Sequence, residues 1–486
     1  MTGKCLLSIF SFLVFSTGAF GEGAGQPVTC SQMLAWMAGG ISNQRIARLV
    51  AERGLSFTVT DESSNILAAA GVNAALLTQL SARRAGDSAK PVTDCPASLA
   101  KAATLVHNKD YESAENILRR ELRANPDNPD LHLALGYVRV QQDDLDDAFD
   151  EYADAKELAP AFPEVHNGLA FVFYRSNDPT NAIAEARSAL SMDPQNAEAY
   201  RYLGLGLYGD EKYDAALHAF HESLARDPQG AQAYYDIGIA ERAKGDPGGA
   251  EAAYRKAIQL DQRFWEAHSN LGMVLHELGN LDDAIAEYRQ AKLLAPAEVA
   301  VRNNLGNTYC DKGDYDAAIT EFHELFRMNP SWSNGHACLG QAFMTKGDYE
   351  SAIPELRLAV SQNPNSGVEY RALGQALMAA NRPTEALHEL RVAVSLEPDS
   401  ASAHHDLATA LLNTRDFEEA AAEFRQTVRL QPTAPNHYDL AACLMYLGRD
   451  GEALAELEIA LRLEPDEKLY RARKEELLKT MKPERR

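Results

Sequence analysis

Positive charge is scarce in this chain. Its 486 residues hold 47 Lys and Arg against 70 Asp and Glu, a formal net charge of −23. Nucleic-acid binding needs a basic footprint, and only residues 468–486 carry one. Long apolar runs are missing too. The one apolar stretch, Leu6 to Phe15, falls short of the ~20 residues that a membrane-spanning helix needs, so no stable membrane insertion is expected. The motifs of common chemistry are also absent: no phosphate loop, no paired Cys-x-x-Cys and no His-Glu-x-x-His helix. Cysteine is rare, with six in all.

What fills the chain is repetition. Prolines stand at 126, 160, 194, 228, 296, 330, 364, 398 and 432, each a multiple of 34 residues from the first. Gln262 breaks the series, and a one-residue deletion puts the last member at Pro465. A fixed period of this length means stacked supersecondary units in place of one globular core. Each unit is counted here as ending two residues after its proline. Position twenty is then Ala in all eleven units, from Ala114 to Ala453, and position eight is always Gly or Ala. Glycine inside a helix costs roughly 1 kcal/mol relative to alanine, so its recurrence, as at Gly204 and Gly272, requires a close helix approach. Large apolar residues follow at position twenty-four, such as Tyr152, Phe220 and Tyr288. The proline ends the second helix, because it lacks an N–H and clashes with the preceding turn.

This pattern resembles the tetratricopeptide repeat. The motif is a small residue at eight, Ala at twenty, an aromatic or Leu at twenty-four and Pro at thirty-two. The resemblance covers residues 95–467 and implies an all-α fold: a right-handed α-solenoid of about eleven helical hairpins. The array is similar to the superhelical segment of the O-linked N-acetylglucosamine transferases, without the catalytic domain that follows there. One departure is position four, where many family members have Trp. Here it holds His132, His166, Tyr200, Tyr234, His268, Arg302, His336, Tyr370, His404 and His437. These rings read as covering the helix face. A metal stripe fits poorly, because hairpins stack ~10 Å apart. The closer pairs His218/His221 and His404/His405 lack third ligands at regular spacing. No metal and no cofactor are expected.

The ends differ from the array. Lys4, the apolar run and small residues at Ala19 and Gly21 read as an export signal over residues 1–24, cleaved after Gly21 or Ala24. No small-residue triplet ending in Cys sits there, which argues against a lipoprotein anchor. The mature protein is then expected to be periplasmic or extracellular. Residues 27–82 read as a small helical module. Ser42 caps a helix to Arg53, with Ile46, Leu49 and Val50 on one face and Gly54 as its stop. Leu55 to Thr60 reads as extended, Asp61 caps a second helix to Ala70, and a third covers Asn73 to Leu80. Two helices joined by a short connection also describe DNA-binding modules. Export and a near-balanced six Arg/Lys against five Asp/Glu over residues 27–94 argue against that here. Residues 83–94, with Gly86, Ser88 and Pro91, read as a linker. Cys30 and Cys95 bracket this segment and could be joined in an oxidising compartment; their spacing in sequence leaves this open. Cys310, Cys338 and Cys443 read as small buried hydrophobes in repeat helices. Residues 468–486 read as a polar capping helix and tail with Lys468, Arg471, Arg473, Lys474, Lys479 and Lys482, solvating the last hairpin. The other reading of that end is a basic patch for an acidic partner.

With these parts subtracted, no stretch long enough for a catalytic domain remains, and no enzyme is expected. The resemblance implies that the first helix of each hairpin lines a concave groove, with positions two, five, six, nine, twelve and thirteen turned to ligand. In the early groove these are Asn167, Phe171, Tyr174, Arg175, Arg201, Tyr202, Leu205, Tyr208, Tyr235 and Arg242. Tyr, Phe and Arg are common anchors of partners. Midway they become Asn270, Asn303, Asn304 and Asn307, which in the transferase arrays hold an extended peptide by its backbone amides. Met344 and Met378 make the later lining softer. The clamp that chaperone-binding members use for a terminal carboxylate is missing, since position five has no lysine from the second unit onward. The expectation is an exported scaffold binding an extended peptide or protein, most strongly in the early groove. The alternative is a module that stacks carbohydrate or an envelope polymer on groove aromatics. The oligomeric state stays open.

Overall fold

The structure, a computed structural model, describes residues 26–82, 95–332 and 335–481. The expected export signal, the linker 83–94 and Lys482 lie outside the described residues. The chain divides into two compact units, Met1–Gln262 and Arg263–Arg486.

The first unit opens with four short helices: α1 (Cys30–Ala38), α2 (Asn43–Arg53), α3 (Asp61–Ala69) and α4 (Ala74–Ala82). Hairpins follow as α5 (Ala97–His107) with α6 (Tyr111–Ala124), and α7 (Pro129–Gln141) with α8 (Leu145–Leu158). Next come α9 (Pro163–Arg175) with α10 (Pro179–Met192), and α11 (Ala197–Gly209) with α12 (Tyr213–Arg226). The last pair of this unit is α13 (Ala231–Lys244) with α14 (Pro247–Leu260).

The second unit begins with α15 (Trp265–Glu277) and α16 (Leu281–Leu294), then α17 (Val299–Lys312) and α18 (Tyr315–Met328). It continues through α19 (His336–Thr345) and α20 (Tyr349–Gln362), then α21 (Gly367–Ala379) and α22 (Pro383–Leu396). Two more hairpins, α23 (Ala401–Thr414) with α24 (Phe417–Leu430) and α25 (Ala434–Tyr446) with α26 (Asp450–Leu463), precede α27 (Lys468–Met481). No strand occurs among the described residues beyond one isolated parallel bridge, Val28 to Leu55.

The repeat positions explain the hairpin. Position twenty is fully buried in all eleven repeats. The glycine at eight makes room for the ring at twenty-four of its own hairpin: a Cβ on Gly204 would stand 2.4 Å from Phe220, and one on Gly238 would stand 2.5 Å from Tyr254. Position fifteen, in the turn, is left-handed throughout. Glycine serves at 245, 279, 313, 347 and 448, while Lys109, Asp143, Asn177, Glu211, Asn381 and Arg415 adopt the same positive φ. Proline is not what ends the second helix. Helices α8, α10 and α12 stop two residues before Pro160, Pro194 and Pro228, at an extended residue of the kind favoured before proline. Yet α14 stops at the same position before Gln262, with Asp261 at φ −135°. Packing sets the boundary, and proline fits it.

In the first four helices, Ser42 caps α2 by accepting from the Arg45 N–H, and Gly54 follows α2 at φ +77°. Asp61 is the first residue of α3, and the cap is Thr60, in a reciprocal pair with Ser63. Helix α4 runs from Ala74 to Ala82, with Asn73 accepting from the Leu76 N–H. Helix α1 was not foreseen. Its signal was present as Thr29-Cys30-Ser31-Gln32, a capping box in which Thr29 and Gln32 bond each other's backbone. A disulfide joins Cys30 and Cys95, with their Cα atoms 5.2 Å apart. Cys310 and Cys338 are also paired, Cα to Cα 6.4 Å, linking α17 to α19. That corrects their reading as unpaired core residues; both lie on first helices one repeat apart. Cys443 stays free and fully buried, and burial pushes its thiol up to about 11. At the other end, α27 buries Tyr470 and Leu477, with Tyr470 against Tyr438.

Candidate interaction surface

In the first unit, some of the positions expected to face ligand are taken by the chain's own N-terminal helices. Trp36 of α1 is buried and donates its indole N–H to Asp130, position two of α7, at 2.7 Å. Gly39 lies on Leu133 and Ala134, and Gly40 on the Tyr137 ring, which are positions five, six and nine. Arg45 of α2 pairs with Glu164, position two of α9, and with Asp193 at 2.7 Å. Arg48 pairs with Asp193 too, and donates to the Gln195 carbonyl at 2.6 Å. Ser42 and Glu198, position two of α11, line one cavity. Asp130, Glu164 and Glu198 thus form a row of acids, one per repeat, under α1 and α2.

The early-groove residues divide accordingly. Asn167 is buried, with neither amide atom hydrogen-bonded to a described residue. Leu205 is buried, and Phe171 packs on the Tyr174 and Tyr202 rings. Arg201 lies over the Tyr202 ring and pairs with Asp236 at 2.9 Å. Asn167 and Leu205 thus face the interior, while Phe171, Arg201 and Tyr202 stay half-buried with these contacts. Tyr174, Arg175 and Tyr208 do line an open pocket of about 280 Å³ with Asn177, Pro179 and Gly209. Arg175 also reaches Asp143 at 2.6 Å. Tyr235 is half-buried against Tyr254, and Arg242 is exposed.

In the second unit, Asn270, Asn304 and Asn307 are partly exposed along α15 and α17. Asn303 is buried, donating to Asn304 and accepting from the Trp332 indole. Neighbouring first helices are tied by rungs from position five of one repeat to the Asp at position six of the next. Arg371 lies 3.6 Å from Asp406, and His405 lies 3.0 Å from Asp439, matching Arg201 and Asp236 in the first unit. Gln375 also donates to Asp406 at 2.7 Å. Hydrogen bonding of the His405 ring to the Asp406 and Asp439 carboxylates holds it up to about 9. Arg201, Arg371 and His405 at position five are therefore committed to neighbours.

A family model of the tetratricopeptide repeat matches residues 168–208, 204–263, 235–298, 303–367 and 371–435, and a second model of the same repeat matches 105–170. The chain belongs to the tetratricopeptide repeat (TPR) family. Among solved structures it is similar to MamA, residues 41 to the end, from Desulfovibrio magneticus. The identity is 20%, over 35% of this chain and 95% of that one, with a TM-score of 0.34. It is also similar to PilF of Pseudomonas aeruginosa (20% identity, 45% and 97% covered, TM-score 0.38). A third is the Cut9–Hcn1 assembly of the APC/C (12% identity, 78% and 95% covered, TM-score 0.37). A search of the curated proteins finds no match.

The fourth TPR position holds a device the sequence reading missed. His132, His166, His268, His336, His404 and His437 each bond through Nδ1 to the Glu nineteen residues on, at 2.5 to 2.7 Å. In three of them the other ring nitrogen donates to the carbonyl of the preceding repeat's proline: Pro126, Pro160 and Pro398. Each ring therefore clips its hairpin together, and those three also grip the turn before it. The signal was legible: Tyr200 and Tyr234 have Ala219 and Ala253 nineteen residues on, while every His has Glu. His132, Glu151 and Asp154 could together approach a metal ion. The same His–Glu bond recurs in five other repeats, so its role here is the clip. The bond to Glu151, with the one to Pro126, holds the His132 ring above its ordinary value against the effect of burial.

Proposed function

We propose that this TPR protein is an exported, non-catalytic scaffold that holds a protein segment on the face of its first helices. The observation that carries this reading is the docking of α1 and α2 on positions two, five, six and nine of α7 and on position two of α9 and α11. In this chain that face accepts folded polypeptide through buried arginine–carboxylate pairs and an indole hydrogen bond. In the second unit positions six and nine carry Asn304 and Asn307, and position twelve carries Met344 and Met378, polar amides followed by adaptable thioethers, which suit an extended segment. Export is supported by the Lys4-to-Gly21 pattern and by two disulfides, which persist in oxidising compartments.

A photo-crosslinking residue placed at Asn304 tests the surface, with Leu293 as control; it is 74% exposed on a second helix. A discrete protein adduct from Asn304 alone is expected, and identical adducts from both sites would sink the proposal. N-terminal sequencing of the fractionated protein should find a chain starting near Glu22 or Gly25. A second reading, glycan binding, rests on the pocket between Tyr174 and Tyr208, where two aromatic faces flank Asn177 and Arg175. Glycan-array binding lost on Tyr174→Ala would favour it.

A further inference from the structure

One acidic position of the repeat is met by a lysine in three places and by a serine in a fourth. Position eighteen, at the start of the second helix, holds Asp four times: Asp146, Asp214, Asp282 and Asp316. Three of these pair with a lysine at position fourteen of the next repeat. Asp214 meets Lys244 at 2.6 Å, Asp282 meets Lys312, and Asp316 meets Lys346. The matching residue for Asp146 is Ser176. There α8, the end of α9 and the cap of α10 bound an open cavity of about 340 Å³. Its lining includes Asp146, Phe149, Asp150, Phe173, Ser176 and Asp178, and among the described residues no basic side chain joins them. Asp178 is engaged in capping α10. The rings are a second departure, independent of the first. Position twenty-one is aliphatic and buried at Ile183, Leu217, Ile285, Ile353 and Leu387. Phe149 at that position is 38% exposed, set edge-to-face with Phe173 at 5.6 Å between centroids. Helix α16 opens with the same Leu-Asp-Asp-Ala as α8, then has the buried Ile285 and a paired lysine. The exposed ring and the serine thus coincide in one place.

We infer that this cavity takes a lysine side chain of a partner polypeptide. The partner's ammonium stands as Lys244, Lys312 and Lys346 do elsewhere in the array, against Asp146 and Asp150, and its alkyl stem lies along Phe149 and Phe173. An ammonium near a ring face is drawn to it electrostatically, and a lysine stem covers apolar surface while its head stays with the carboxylates. The same carboxylates oppose an anion, and a purely apolar side chain leaves their charge unanswered. The site lies off positions two, five, six and nine of the first helices. It is therefore a surface beyond the one proposed above.

The test uses the full chain with its disulfides intact and a fluorescent peptide of alternating alanine and lysine, followed by anisotropy. Ser176→Lys gives Asp146 the lysine of the other repeats and should weaken peptide binding about 5-fold, the reach of an exposed ion pair. Leu293→Lys adds the same charge at an exposed site of the second unit and should leave binding unchanged. Phe149→Ile, which copies Ile285, should weaken it about 3-fold through the lost ring contact. Equal weakening by Ser176→Lys and Leu293→Lys means that the peptide reads net charge alone, and overturns the inference. No binding to the unaltered chain overturns it too. Tighter binding of an alternating alanine–arginine peptide overturns the choice of lysine. Should Ser176→Lys or Phe149→Ile lose its helical circular dichroism, the pair Asp146→Asn and Asp150→Asn decides: binding must weaken, and unchanged binding overturns the site. Asn304 lies in the other unit, so its crosslink and this site fail separately.

Discussion

The first helices of the two units share one repeat register and differ in what lies on their ligand-facing positions. In the first unit, position two reads Asp130, Glu164, Glu198 and Gln232, and α1 and α2 cover the three acids. In the second, Glu266 apart, position two reads Ala300, Val368 and Ser402, and asparagines, methionines and a disulfide occupy the neighbouring positions. The hairpin needs only positions eight, twenty and twenty-four to close. It leaves the concave positions unconstrained, so one scaffold carries an acidic seat in one unit and, in the other, amides on α17 with charged rungs from α21 to α25. Recognition is written where the repeat pattern is silent.

The comparison can be broken most forcefully at Arg45. Arg45→Ala leaves Glu164 buried without its charge partner, and breaking such a pair costs roughly 3–5 kcal/mol. Hydrogen exchange should loosen α2, α9 and α11 and leave α17 to α26 unchanged; equal loosening of both units would end the distinction. Next come the disulfides. Cys30→Ser opens a loop spanning 65 residues and Cys310→Ser one spanning 28. Each should lower the stability of its own unit by about 2–4 kcal/mol, the first by ~0.7 kcal/mol more from chain entropy. Urea titrations of the two variants check this, and the same loss in both would show that loop length is not the controlling variable. Smaller again is Ala284→Leu, at a fully buried position of the second unit. Overpacking there should cost roughly 1–3 kcal/mol, concentrated in α15 to α18. Exchange that rose evenly along the whole chain would contradict a nearest-neighbour stack.

The array was legible because its signals are local and repeated. Ala114 to Ala453 and the prolines fix the register, and α27 was readable from its polar composition. The N-terminal helices were only partly readable: Ser42 and Gly54 bound α2 as their residue types require, but the Thr29–Gln32 box went unread and α1 with it. The docking of α1 and α2 is a long-range fact. Arg45 and Glu164 are 119 residues apart, and no periodicity links them. Asn167, Phe171, Arg201, Tyr202 and Leu205, assigned to the groove by register alone, pack against or pair with neighbouring residues of the first helices, which no periodicity shows. The His–Glu clip is different, since its spacing of nineteen is visible in one sequence once position four is compared with position twenty-three.

The smallest effect separates two rungs of the same design. Arg201 and His405 both sit at position five and pair with an Asp at position six of the next repeat, Asp236 and Asp439. Arginine stays charged at any pH of interest, whereas histidine unfolded titrates near 6.5. In the folded chain His405 titrates at about 9, held up by Asp406 and Asp439 against burial. A folded value raised above the unfolded one means that the stabilisation is complete below about pH 6.5 and disappears as pH rises through 9. The ring is 36% exposed, so solvent screening leaves about 1 kcal/mol at most. His405→Arg copies the Arg201 rung and should remove this pH dependence. Urea midpoints of the second unit should fall from pH 6.5 to 9 more steeply in the unaltered chain than in the variant. Taking the difference cancels other titrating groups, including His132 in the first unit. A difference between the two chains that stays constant from pH 6 to 9 would show that the His405 rung adds nothing to the stack.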